Sequence, residues 1–116
     1  MRRSSVVTMT VARVMWGTVL TTVPGAVLRH CPRTARNTAA DAVVRVLGAR
    51  HLVQGLATAA GVMPPAWAAL PDALHAATMA GLAVYSPRWR TAASVDFAVA
   101  GAFTVGGLCA TRAAVR

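Results

Sequence analysis

Four apolar stretches, each cut from the next by arginine or proline, dominate this chain and restrict what it can fold into. They cover approximately residues 6–27, 39–63, 66–85 and 87–111. A bilayer core about 30 Å thick takes a helix of about 20 apolar residues. Charged residues make up only 13% of the 116, about half the share usual in a soluble domain. A soluble fold this short leaves much of its surface wet, and too few charges are present to cover it. We therefore read the chain as all-α: a single-domain, multi-pass protein of the cell membrane. Its four transmembrane helices form two hairpins in a compact bundle, with the lipid bilayer as its partner.

Local signals place the ends of these helices. The first stretch contains Arg13 and meets Pro24-Gly25, where a kink or fray is expected. Met1-Arg2-Arg3 ahead of apolar residues imitates a signal peptide, but Arg13 interrupts the apolar region, so an uncleaved helix is expected. Thr38 with Asp41 predicts a capping box at the start of the second helix, and Pro64-Pro65 predicts its end. The third helix begins at Ala66 or at Pro71; from Pro71 it would fall short of a full span. Ser86-Pro87 predicts a cap followed by a first-turn proline for the fourth.

All twelve basic residues apart from histidine are arginine, against three aspartates, for a net charge of +9. Such a balance can mark nucleic-acid binding. Here the arginines sit mostly in gaps between apolar runs and no aromatic-rich basic face accompanies them, so no nucleic-acid partner is expected. Arg29, Arg33, Arg36, Arg45, Arg88 and Arg90 fall at one end of the expected bundle, and Arg2, Arg3, Arg112 and Arg116 at the other. The excess places the first end in the cytoplasm and both termini outside. Cys31 and Cys109 would lie near opposite faces, with no disulfide between them.

Arg13, Arg50, Asp72 and Asp96 all fall within apolar stretches, where each costs at least ~2.5 kcal/mol at mid-bilayer unless paired. At ~1.5 Å per residue, Arg13 and Asp72 lie at similar depth below one face, and Arg50 and Asp96 below the other. Two buried pairs are expected, Arg13–Asp72 and Arg50–Asp96, structural or functional. His51, Gln54 and His75 are candidates for a polar path, Gln54 and His75 being close enough in depth to share a hydrogen bond. The two histidines differ in depth by about one turn of ~5 Å, which argues against a haem held between them, and no carboxylate or thiolate joins them in a metal set. No cofactor and no metal are expected. Nucleophile triads, phosphate loops and paired carboxylates are missing, so no catalytic residue is assigned and nothing favours an enzyme.

Small residues recur every fourth position at Ala98, Ala102, Gly106 and Ala110, a helix-packing stripe that serves the bundle or a second copy. Ala73, Ala77 and Gly81 repeat the pattern in the third stretch, and Ala57 with Gly61 in the second.

The run Arg45-Val46-Leu47-Gly48-Ala49-Arg50-His51-Leu52 with Gly55, followed by Asp72-Ala73-Leu74-His75-Ala76 with Met79, resembles a family of small uncharacterised actinobacterial membrane proteins. These carry a similar Gly-x-Arg-(Asp/His)-Leu-x-x-Gly element in their second helix. The resemblance spans about residues 42–107 and implies a four-helix topology, with no activity attached. Two functions follow as expectations. One is a structural or accessory subunit, packing with itself or with a membrane-protein partner; the other is a small transporter or channel whose path the buried Arg, His and Asp residues would line.

Overall fold

The computed structural model describes residues 2–34 and 37–116; Arg36, one of the loop arginines counted above, lies outside them. Five helices and no strand make up the described residues: α1 (Arg2–Thr22), α2 (Pro24–Arg29), α3 (Thr38–Ala59), α4 (Pro65–Tyr85) and α5 (Arg90–Val115). One of them, over Arg90–Ala113, is long and apolar enough by itself to cross a membrane.

The elements end for local reasons, several of which correct the sequence reading. The first stretch divides in two. Val23 leaves the helical conformation (φ −130°), and Pro24, lacking an N–H, opens α2 instead of continuing α1. The cap of α3 is Asn37, not Thr38. Asn37 is extended and its side chain accepts the Ala40 N–H at 2.8 Å, while Thr38 is already helical. The helix stops at Ala59, before the double proline, because Gly61 takes a left-handed φ of +73°. The Val62 N–H then returns to the Ala57 carbonyl (2.9 Å) and the Gly61 N–H to that of Thr58 (3.1 Å). Pro65, not Pro71, occupies the first position of α4, so Pro71 and Asp72 both lie within the helix. Ser86 closes α4 rather than capping α5, and residues 86–89 form a turn. Arg90 donates to the last carbonyls of α4, through Nε to Ala83 (2.9 Å) and Nη2 to Val84 (3.3 Å).

The helices pair as two hairpins, α1 with α3 and α4 with α5, and α1 also lies along α5. Buried positions recur at alternating spacings of three and four, as in helices that wind about one another. Such series are Arg13, Gly17 and Leu20 in α1; Ala40, Val44, Gly48, His51 and Gly55 in α3; Ala69, Asp72 and Ala76 in α4; and Ala93, Asp96, Ala100, Phe103 and Gly107 in α5, with Gln54 and Ala68 buried beside them.

Where the backbones approach most closely, only glycine fits. A Cβ on Gly17 would stand 2.8 Å from the Gly48 carbonyl oxygen, and one on Gly55 would stand 2.7 Å from a Val14 methyl.

The expected packing stripe of α5 is therefore displaced. Ala98 and Ala102 are exposed, and Gly106 and Ala110 are half-buried, with Gly106 against Met9. The face that packs is one turn-fraction away, because Asp96 and Phe103 point inward. Ala73 and Ala77 of α4 are likewise exposed.

Leu20, Leu28, Ala40 and Val44 form an apolar cluster at the α2 end, backed by Trp16 and Trp89. The Thr34 hydroxyl donates to the Arg88 carbonyl (2.8 Å), tying the loop before α3 to the turn before α5.

Candidate functional site

The centre of the bundle is polar. Arg13, His51, Gln54, Asp72 and Asp96 are buried, and His51 and Asp72 have no exposed surface. Arg13, His51, Asp72 and Asp96 come from the inward stripes of α1, α3, α4 and α5, so positions that would ordinarily hold leucine or valine hold polar or charged groups.

Asp72 is the hub. Arg13 grips its carboxylate with both terminal nitrogens, Nη1 to Oδ1 at 3.0 Å and Nη2 to Oδ2 at 2.5 Å. The same Nη1 donates to Gln54 Oε1 at 3.0 Å. The guanidinium also lies over the Phe103 ring, 4.3 Å from its centroid. Planar forks suit this two-toothed grip, and an aromatic face suits a weakly hydrated cation. Arg50 adds a third donor to Asp72, from Nη2 to Oδ1 at 3.2 Å.

Thus Arg13 meets Asp72, as the depth count expects, but Arg50 does not meet Asp96. Asp96 instead accepts from or donates to His75, Nε2 to Oδ2 at 2.5 Å, within its own hairpin. α5 begins at Arg90 but α3 begins at Thr38, so Arg50 lies farther into its helix than Asp96 does into its own, and their depths match only loosely. Depth carries no information about azimuth. His51, not Arg50, occupies the inward position of α3, so Arg50 leaves at an angle that reaches Asp72. The expected Gln54–His75 bond is absent for a related reason: Gln54 is held by Arg13, and His75 by Asp96.

His51 lies 5.6 Å from Phe103 between ring centroids, and neither of its ring nitrogens has a hydrogen-bond partner. Arg50 Nη1, Asp96 Oδ1 and Trp16 Nε1 are also buried and unpartnered. Two arginines and two aspartates give a cluster that sums to zero with the histidines neutral.

Cavities flank the cluster at opposite ends. Next to Arg13 is a small pocket of about 20 Å³ that also includes Met9, Ala68 and Ala110. On the other side is an apolar cavity of about 130 Å³ with Asp96 in its wall, which neither spacing nor depth foretold. The free Cys31 borders it, and burial pushes that thiol up from its ordinary pKa. Among the described residues no group of three His, Cys, Asp or Glu side chains is placed to hold a metal ion. No family model, no curated protein and no solved structure matches the chain.

Proposed function

We propose that the chain crosses the cell membrane four times, through α1, α3, α4 and α5, and serves as a structural or accessory subunit. One observation carries this reading: the usual burial pattern is inverted. The largest fully buried side chains are a histidine and an aspartate, while Val11, Met15, Val46, Val53, Leu74 and Val105 are half or more exposed. Such a surface suits hydrocarbon, and patches of this extent are rare on soluble monomers.

Three further features agree. The four helices have 21, 22, 21 and 26 residues, at least ~31 Å each at ~1.5 Å per residue, which matches a bilayer core. Hydroxyls of Thr18, Thr22, Thr78 and Thr104 donate to the carbonyl four residues earlier, so they need no water. Exposed arginines gather at the helix ends, with Trp67 and Tyr85 also exposed there. The modest hydropathy of α1, α3 and α4 comes in part from residues whose charges close on one another inside the bundle. The charge excess orients the termini outward.

Arg13, Gln54 and Asp72 close on one another, which favours a structural part for them. The outward Ala98 and Ala102, with Gly101 open beside them, mark the face of α5 for a second copy or a membrane partner.

Resistance of the expressed protein to extraction by alkaline carbonate tests the membrane reading; release into the soluble fraction would sink it. Energy transfer between differently labelled copies in vesicles tests self-association. Ala98→Leu with Ala102→Leu should abolish the signal and leave the helical content unchanged. Orientation is read by membrane-impermeant labelling of Pro32→Cys in a chain lacking both native cysteines. No labelling of intact cells is expected, because that loop is assigned to the cytoplasm.

A second reading, transport, is favoured by the unpartnered Arg50 Nη1, His51 nitrogens and Asp96 Oδ1, which lie between the two cavities. Proteoliposome flux that depends on His51 would move it ahead of the first.

A further inference from the structure

We propose that the pocket where α1, α2 and α3 meet is a binding site for the head group of an anionic phospholipid, its phosphate held by Arg29 and Arg45 and an acyl chain lying along α1. The pocket has a volume of about 250 Å³. Its wall is the break between α1 and α2 (residues 22–26), Arg29 at the end of α2, and Asp41 and Arg45 in the first turns of α3. Pockets that enclose a whole small molecule run to ~300–1,000 Å³, so this one takes a head group and leaves the hydrocarbon outside.

The two arginines are uncommitted. Both are exposed, and among the described residues neither makes an ion pair or a hydrogen bond. Other arginines at this end are engaged: Arg90 donates to the last carbonyls of α4, and the Arg88 guanidinium lies 5.9 Å from the Trp89 ring centroid. A guanidinium presents a planar fork that matches two phosphate oxygens. Asp41 shares the wall but pairs with neither arginine, so two cations against one anion leave the pocket positive. The exposed Arg33, Arg88 and Arg90 strengthen that field and disfavour a choline head group, whose ammonium they repel. The charge excess assigns this end to the cytoplasm. The leaflet on that side carries the anionic lipids, and basic pockets between helices there hold phospholipid head groups. The hydrocarbon has a track as well. Val23 is in the pocket wall, Val19 and Met15 follow one and two turns deeper on α1, and all three are exposed. A free phosphate would use the arginines and leave this track bare. The proposal rests on the membrane reading above, and on neither self-association nor transport.

The test reconstitutes the full chain into vesicles of equimolar phosphatidylglycerol and phosphatidylcholine with identical acyl chains. Lipids that stay bound after transfer into a mild detergent are counted by native mass spectrometry. Phosphatidylglycerol should be retained about fivefold over phosphatidylcholine, the factor that one net basic charge near an anionic lipid supplies. Arg29→Gln or Arg45→Gln should remove the preference. Asp41→Asn should raise it about fivefold further, a gain that a misfolded chain cannot show. Equal retention of the two lipids by the unaltered chain, or a preference that survives both arginine changes, would overturn the proposal. So would a loss on Asp41→Asn, the result for a head-group ammonium seated on that carboxylate. Displacement of the lipid by inorganic phosphate, beyond that by chloride at equal ionic strength, would make the site one for a free anion and overturn it too. A chain that fails to enter the vesicles overturns the membrane reading and this proposal with it; one that enters and shows no preference overturns this proposal alone.

Discussion

The α1–α3 hairpin and the α4–α5 hairpin have similar lengths and draw on the same small residues, but they close differently. In the first, glycines bring backbone against backbone, with Gly17 facing Gly48, and the buried Arg13 and half-buried Arg50 lie on this side. In the second, alanines line the contact and both buried aspartates lie there, one of them bonded within the hairpin to His75. Asp72 is shared across the hairpins and receives Arg13 and Arg50. Asp96 stays within its own hairpin and keeps one oxygen free. In a solvent that gives no hydrophobic drive between helices, packing and polar contacts must hold the halves together. Asp72 is therefore the key between hairpins, whereas Asp96 is available for another role.

The sharpest way to break this contrast is to remove each carboxylate. Asp72→Ala strands the buried Arg13 and the half-buried Arg50 and should cost about 3–5 kcal/mol in reversible unfolding from mixed micelles. Asp96→Ala leaves only His75 without its partner and should cost about 1–3 kcal/mol. Equal losses would show that the hairpins are not held as described.

The packing difference comes next. Gly48→Leu forces a side chain against the α1 backbone and should cost about 1–3 kcal/mol in the same assay. At Gly101 an added Cβ meets nothing within 4 Å, so Gly101→Ala should change stability by no more than about 0.5 kcal/mol. A loss at Gly101 as large as that at Gly48 would mean that the two hairpins do not differ in how closely their backbones pack.

A double-substitution cycle sharpens the charge assignment. Arg13→Ala and Asp72→Ala should couple by about 0.5–3 kcal/mol, whereas Arg50→Ala and Asp96→Ala should be additive to within about 0.5 kcal/mol. Strong coupling in the second pair would restore the pairing that depth alone suggests.

The smallest expected effect is at the cap of α3. Asn37→Ala should cost about 1 kcal/mol through loss of the bond to the Ala40 N–H, with Thr38→Ala costing less. The reverse order would return the cap to Thr38.

From sequence alone came the helical class, the approximate length of the four long helices, a kink or fray near Pro24 and the depth at which Arg13 and Asp72 meet. These follow from properties that run along one dimension: apolar run length, the missing N–H of proline and a constant rise per residue. The glycine that ends α3 and the asparagine that begins it were also within reach of sequence, since Gly61 and Asn37 are common residues at such ends; the double proline and the Thr-x-x-Asp pattern drew attention away from them.

Only the tertiary structure decided which way each side chain turned. Whether Arg50 or His51 faced inward, whether Ala98 or Asp96 did, and that Asp96 met His75 rather than Arg50 all depend on the rotation of one helix against another. A shift of one position turns a side chain about a quarter of the way round the helix, and no local signal sets that angle. It is chosen by the whole bundle, which finds the rotation at which the glycines touch and the charges close. The cavity beside Asp96 is what that choice leaves between the hairpins.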